Sequence, residues 1–397
     1  MKILALNSGS SSIKYSLFDC SRDYHLLKQG LAERIGEITS TISRRVEDQP
    51  ACKEEVVLQD HRTAMHALFP KGSKSLDEIE AIAHRVVHGG EQFKGPVLIN
   101  NEVIQEITKL AKFAPLHCQS NVIGIEVLHK LLPGIPHVAI FDTAAHQTMD
   151  FKAFLYGIPM EYYEKYKIRK YGFHGINHSY VAHEAARLLK KPLGELKIVT
   201  CHLGNGCSIT AFEKGKSIDN SMGLTPLEGL IMGTRCGDLD PSVVIYLTEE
   251  LGLKPEQMTE LLNKKSGLFG LCGKSDMRDI IEMSNKGDKS SQMAIEMFVY
   301  RVQKYIGAYI AALNGVDAIV FTGGIGENSP YIRSLIIKNF SYLGLILEID
   351  ENERNKTIFS AKNSRVFLTT IPANEEKSIV QQTHHLLTPK TPHTKML

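Results

Sequence analysis

Arg235 stands between two glycines in Gly233-Thr234-Arg235-Cys236-Gly237-Asp238. A guanidinium held this way can present its planar fork to both oxygens of a carboxylate or a phosphoryl group. Upstream, His202-Leu203-Gly204-Asn205-Gly206 joins two runs of strand-forming residues, Lys197–Cys201 and Cys207–Phe212. Glycines at such a turn let backbone N–H groups close on a ligand. A plain hairpin followed by an ordinary loop would read the same way, and these residues alone leave the choice open.

Three further residues have chemical potential. Arg85 lies inside an apolar run, Ala81 to Val87, that leads into His88-Gly89-Gly90. An arginine there is costly to bury unpaired, so it is either a strand-edge ion pair or an anion ligand. Asp142 closes the apolar strand His137–Phe141. In open α/β sheets that end of a strand faces ligands, although a helix cap is the other reading. His174 sits in Tyr171-Gly172-Phe173-His174-Gly175, where glycines free it to reach a ligand. There are seven cysteines without a CxxC pair, which argues against a zinc site or a disulfide framework. Cys201, Cys207 and Cys236 are read as small buried residues, with Cys236 beside Arg235 the one candidate for reactivity.

The elements that must position these groups repeat. Lys2–Leu6 reads as a strand, Asn7–Ser12 as a polar turn and Ile13–Phe18 as a second strand. Lys2-Ile3-Leu4 matches Lys197-Ile198-Val199, and Ser12-Ile13 matches Ser208-Ile209. A strand–turn–strand unit repeated far apart predicts a duplicated domain with two phosphate-handling hairpins. Ala318 to Thr322 is a third buried strand, running into Gly323-Gly324-Ile325-Gly326-Glu327. Ser75-Leu76-Asp77-Glu78 has the form of a capping box opening a short helix. Helical periodicity marks 102–113, 121–132, 179–190, 242–251, 255–264, 277–283, 290–313, 330–340 and 377–387. The run 290–313 is apolar on several faces and is expected to be a core or dimer helix. The tail after Thr388 is expected to fray.

At 397 residues the chain exceeds one core, so two domains are expected. A composition change near Met149 sets the boundary: residues 1–148 with 377–397 form one domain, residues 149–376 the other. Net charge is +2, which points to neither nucleic acid nor a membrane surface. No apolar run is long enough to span a bilayer and no leader precedes the first strand, so a cytoplasmic protein is expected. A Walker A loop fails twice: Gly215-Lys216-Ser217 would need glycine where Thr210 stands, and Gly273-Lys274-Ser275 where Leu268 stands. Nor does Asn7-Ser8-Gly9-Ser10 open a helix, as a dinucleotide fingerprint would.

The motifs together resemble the acetate kinase family, within the superfamily of acetate and sugar kinases, Hsc70 and actin. The resemblance runs through NSGSSSIKY, HRVVHGG, APLH, FDTAAHQT, YGFHG, HLGNG, SMGLTPLEGLIMGTRCGDLDP, KSDMRD, TGGIGEN and PANEE, nearly the whole chain. It implies two ribonuclease H-like α/β domains of the actin-like ATPase type around a central cleft, assembled as a homodimer. It implies reversible phosphoryl transfer from ATP to acetate, giving acetyl phosphate and ADP, with propionate or another short-chain acid as the alternative acceptor. A non-catalytic ATP-driven module is the competing class. It has no need of the two arginines or of the apolar lining.

The resemblance also implies roles. Arg85 and Arg235 would clamp the carboxylate and the transferring phosphoryl group, both in a solvent-filled cleft. His174 would donate to a phosphoryl oxygen. Asp142, commonly described as the acid/base, is expected here to orient an arginine or the metal. Asn7 and Glu375 would hold Mg²⁺, or Mn²⁺. Lys14, Ser10, Ser12 and the turn His202, Leu203, Gly204, Asn205 and Gly206 would contact ATP. So would Asp276, Met277 and Arg278, and the turn Gly323, Gly324, Ile325, Gly326 and Glu327. Val87, Leu116, Phe173 and Pro226 would line the acyl pocket. The chain departs from the family pattern at Cys118, at Ile176-Asn177 and at Ala145, which bears on the lining of the acyl pocket and on loop packing.

Overall fold

The computed structural model describes residues 1–9, 11–47, 49–70, 76–112 and 115–388, with the backbone alone for residues 112 and 115–117. Ser10, Ser75, the Leu116 side chain and the tail beyond Thr388 lie outside the described residues. The chain forms two compact units, Met1–Ala145 with Asn374–Leu397, and His146–Ala373.

The first unit carries β1 (Lys2–Ser8), β2 (Ser12–Asp19), β3 (His25–Glu33), β4 (Ser40–Val46), β5 (Cys52–Val56), β6 (Ala81–Val86), β7 (Val97–Leu98) and β8 (His137–Phe141). Their order across the sheet is β5-β4-β3-β2-β1-β6-β8-β7. β1 pairs antiparallel with β2 and parallel with β6, and β6 parallel with β8. β8 is buried at all five positions. A parallel strand covered on both faces needs such an uninterrupted apolar run. Leu4, Leu6, Ile13 and Leu17 pack with Met65 and Leu68 of the helix His61–Leu68, and with Leu128 of Pro115–Leu131. Each such side chain, once buried, contributes about 1.5–3 kcal/mol. The helix Glu375–Leu387 returns to pack on β1 and β6.

The second unit carries β9 (Lys197–Leu203), β10 (Cys207–Glu213), β11 (Lys216–Asn220), β12 (Ala318–Thr322) and β13 (Phe367–Thr370), in the order β11-β10-β9-β12-β13. β9 pairs antiparallel with β10 and parallel with β12, and β12 parallel with β13. β3-β2-β1-β6-β8 in the first unit has the same order and the same senses, so the duplication extends from one hairpin to a whole sheet. Ala182, Ala185 and Ala186 of the helix Gly175–Leu189 pack on Ile198 and Val320.

Four expectations change. Strand register aligns Asn7 with His202 and therefore Lys14, rather than Ser12, with Ser208. The reason is that β1 and β9 run on to Ser8 and Leu203, which shortens the turns. Leu76 to Glu78 form a turn and not a helix. The Glu78 carboxylate accepts from the Lys2 ammonium at 2.8 Å and from Lys28 instead of capping a helix. Gly323 to Asn328 is a short helix rather than an open glycine turn. A helix at Gly267–Cys272, absent from the periodicity, lies between the two helices 255–264 and 277–285.

Candidate functional site

In the first unit, parallel pairing sets Asn7 of β1 opposite Arg85 of β6. The Arg85 guanidinium donates from Nη1 to Asn7 Oδ1 at 3.0 Å and from Nε to Asp142 Oδ1 at 3.3 Å. Its Nη2 donates to the second Asp142 oxygen, and its Nε lies 3.4 Å from Glu375. Asp142 stands one residue past β8, and Glu375 opens the C-terminal helix. Four elements thus converge on one cation. Arg85 is not in open solvent as expected: only 15% of its side chain is exposed. Burial opposes its charge, but the Asp142 and Glu375 carboxylates outweigh burial and hold its pKa up. Burial pushes Asp142 up to about 6, with Glu375 adding to the rise and Arg85 opposing it. Asp142 grips Arg85 through both oxygens.

The Lys14 ammonium lies 2.6 Å from Glu376 and is ion-paired. Ser12 closes the first turn through its carbonyl, which accepts from Gly9 N–H at 2.8 Å. Val87 is buried, and its N–H donates at 3.1 Å to Asn121, whose amide donates to Ser8 O. Asn121 is a bracing residue that helical periodicity alone marks only as a polar position. A Mg²⁺ that takes few protein ligands and keeps its waters would find the Asn7 and Glu375 oxygens here, and both face the Arg85 guanidinium. Among the described residues no cluster of three or more His, Cys, Asp or Glu forms a protein cage for a metal.

The second unit assembles a different set. His174 caps the start of the helix Gly175–Leu189 in the left-handed region, φ 55°. Its ring stacks on His202 at 4.3 Å. The Asn205 carbonyl accepts from Gly233 N–H at 2.9 Å, so the turn and the arginine loop are tied together. A Cβ at Gly233 would sit 2.0 Å from Asn205 Oδ1, so a larger residue there would displace the Asn205 side chain. A Cβ on Gly206 would be 3.6 Å from both His174 Nε2 and Arg235 Nη1. The turn, the imidazole and the guanidinium therefore meet at one point. Arg235 donates to the Pro226 carbonyl at 3.1 Å and to Met232 sulfur at 3.7 Å. Among the described residues it has no carboxylate partner, and burial lowers its pKa. A largely desolvated cation without an acid is ready for an anion. Behind it, Ser266, Leu268 and Phe269 donate to the carbonyls of Thr234, Met232 and Gly233. Gly267, at φ +63°, would place a Cβ 2.3 Å from Met232 O. No motif marked this support. Phe173 is fully buried and Pro226 half-buried.

A cavity of about 700 Å³ brings together Gly204, Asn205, Asp276, Met277, Arg278, Gly324 and Ile325, all assigned to nucleotide from the sequence. Ser275 of KSDMRD and Asn328 of TGGIGEN also line it, while Ile281 and Ser329 carried no sequence signal. Asp276 caps the helix Met277–Asn285 and binds the Arg278 guanidinium at 2.6 Å. Glu327 takes another part than a wall residue: its Oε1 accepts from Gly323 N–H and Ala373 N–H, both at 2.8 Å. Leu203 is buried, and its carbonyl lies 2.8 Å from where a Gly323 Cβ would be. Cys201, Cys207 and Cys236 are held as thiols. Burial pushes Cys207 up to about 12, with Cys201 raised further and in the same direction. Cys236, expected to be the reactive one, is also raised by burial and donates to Gly237 O at 3.1 Å.

The acetokinase family model matches residues 2–381. Acetate kinase of Carboxydothermus hydrogenoformans is 49% identical, over 98% of this chain and 100% of that protein. The crystal structure of Porphyromonas gingivalis acetate kinase superposes with TM-score 0.91 at 38% identity, covering 98% of this chain and 100% of that one. A propionate kinase from Francisella tularensis also gives TM-score 0.91, at 42% identity, with 96% and 98% covered. Two sheets of one strand order agree with these likenesses: the fold is α/β with duplicated ribonuclease H-like units of the actin-like ATPase type.

Proposed function

The chain belongs to the acetokinase family, and from that premise we propose that it transfers the γ-phosphoryl group of ATP reversibly to acetate, giving acetyl phosphate and ADP. The observation that carries the reading is Arg235, a desolvated guanidinium with no acid partner, beside His174 and the Gly204–Gly206 turn. An acetate oxygen attacks phosphorus as the bond to the ADP oxygen breaks. Such a transfer needs positioning and positive charge around the equatorial oxygens more than covalent help. Arg235 and His174 supply that charge and a donor. Arg85, oriented by Asp142, holds the acetate carboxylate. That acid has a pKa near the 4.3 of glutamate and is ionised at pH 7, so it needs no general base. The grip of Asp142 on Arg85 supports an orienting part for this aspartate.

Asn7 and Glu375 would hold Mg²⁺, which neutralises charge on the phosphates when bound. The first unit is the acyl side and the second the nucleotide side, where the 700 Å³ cavity supports ATP binding. Lys14 reaches phosphate only if its pair with Glu376 opens. ATP as substrate puts the protein in the cytoplasm. Exposed apolar residues of the second unit, Ile245 and Tyr246 on the helix Pro241–Leu251 and Met293 and Tyr300 on Lys289–Leu313, support a homodimer.

A hydroxamate assay tests the reaction: acetyl phosphate must form from ATP only when acetate is present. ATP hydrolysis at one rate with and without acetate would instead favour a non-acyl ATPase. The likeness to a propionate kinase supports a second acceptor. Turnover compared on acetate, propionate and butyrate separates the two readings.

A further inference from the structure

Resting on the reading just given, in which His174 meets the phosphoryl group, the feature of interest is what stands behind that ring. His174 Nδ1 is 2.8 Å from Ser208 Oγ. The same oxygen is 2.7 Å from His178 Nε2. His178 Nδ1 is in turn 2.6 Å from Thr200 Oγ1. Ser208, His178 and Thr200 are fully buried, on β10, on the helix Gly175–Leu189 and on β9. Burial, with the nearby His202 and His146, holds His178 well below its ordinary pKa, so its ring is neutral and carries one N–H. A serine hydroxyl has one proton and serves two nitrogens here, so it donates to one and accepts from the other.

The chain thus has two polarities. In one, Thr200 O–H donates to His178 Nδ1, His178 Nε2–H donates to Ser208 Oγ, and Ser208 O–H donates to His174 Nδ1. The proton of His174 is then on Nε2. In the other every donor reverses and Nε2 is bare. Nε2 is the nitrogen on the Gly206–Arg235 side. A bare nitrogen there would repel a phosphoryl oxygen, and an N–H would bind it. We propose that Ser208, backed by His178 and Thr200, is a positioning residue that keeps the ring proton of His174 on Nε2, ready to donate to the transferring phosphoryl group. Arg235 from its loop, His202 from β9 and His178 from the same helix lie beside His174.

The test uses the full chain with ¹⁵N-labelled histidine, the His174 signals being assigned by their loss in His174→Gln. At pH 7.5 the wild-type spectrum is expected to show the Nε2–H tautomer at His174. In Ser208→Ala the signals are expected to shift towards the Nδ1–H form. In acetyl phosphate formation, kcat of Ser208→Ala is expected to fall about ten-fold at pH 8, part of the 10²–10³ that a lost oxyanion donor costs. KM for acetate stays level, and Ser208→Thr, which keeps the hydroxyl, recovers the rate. An unchanged tautomer in Ser208→Ala, or an unchanged kcat, would overturn the proposal. Should Ser208→Ala not fold, Thr200→Val removes the far donor and is read by the same spectrum. The tautomer is measured without turnover, so a wild-type protein that makes no acetyl phosphate counts against the kinase reading alone.

Discussion

Arg85 and Arg235 have similar parts in the proposed reaction but differ in what surrounds them. Arg85 lies among Asp142, Glu375 and Asn7. Its replacement leaves Asp142, 1% exposed, without a counter-ion. Breaking a buried pair from one side costs on the order of 3–5 kcal/mol. Arg85→Ala should therefore lower the thermal midpoint clearly, besides raising KM for acetate and slowing turnover. Arg235 is held by one carbonyl and one sulfur, so Arg235→Ala should keep the fold. Its loss should fall on kcat, by about 10²–10³, with KM little changed, as for an interaction made in the transition state. Lysine should rescue poorly, because an ammonium lacks the bidentate fork. Guanidine in solution should restore part of the rate. A near-normal kcat in Arg235→Ala removes Arg235 from the mechanism.

At the scale of elements, one close approach is between the turn Gly204–Gly206 and the arginine loop. Gly233→Ala would drive a methyl into Asn205 Oδ1, 2.0 Å away. Overpacking of this kind costs roughly 1–3 kcal/mol. The turn should give way, and KM for ATP should rise more than KM for acetate. Equal effects on both substrates would mean that the turn does not serve the nucleotide. In the first unit, β6 and β8 bring His84 and His137 into a stack at 5.2 Å with a 3.0 Å hydrogen bond, and His129 meets His137 edge-on. Burial holds His137 down to about 4 and His84 well below its ordinary value, with His137 and His129 adding to the effect on His84. Between about 6.5 and 4 the unfolded chain binds protons that the folded one refuses, so stability rises with pH across that window and is lost on acidification. The thermal midpoint should drop from pH 7.5 to pH 5 in wild type. His137→Phe should flatten that drop, and a variant as pH-sensitive as wild type would exonerate the pair.

At the scale of the whole molecule, one sheet order occurs twice, and each copy carries different groups at matching positions. The place of Asn7 on β1 is that of His202 on β9, and the place of Arg85 on β6 is that of Thr322 on β12. The duplicated frame thus offers an acid–arginine cluster in one unit and an imidazole–arginine cluster in the other. The second unit also leaves Ile245, Tyr246 and Tyr300 more than half exposed, as a self-association surface would. Light scattering at micromolar concentration should return about twice the 44.2 kDa of one chain, and Tyr300→Glu should shift it towards one. A wild-type monomer would remove the dimer from the reading.

Strand and helix periods, glycine turns and the order of the motifs are local properties of the chain. They sufficed for the two hairpins, the buried strands at 137–141 and 318–322, most helices and the family. The motif glycines and Arg235 were legible for the same reason, since each is needed by its own short segment. Partner choice is another matter, because it depends on register and packing between segments far apart in the chain. Glu375 reaches Arg85 only because the last helix packs against β1 and β6. Glu327 holds two backbone N–H groups that no spacing links. Ser208 and Thr200 look like ordinary strand residues until β9, β10 and the helix Gly175–Leu189 put His178 between them. Residue types therefore determined which chemistry was possible, and tertiary packing decided which charges are paired, which are left open to an anion, and which proton faces the site.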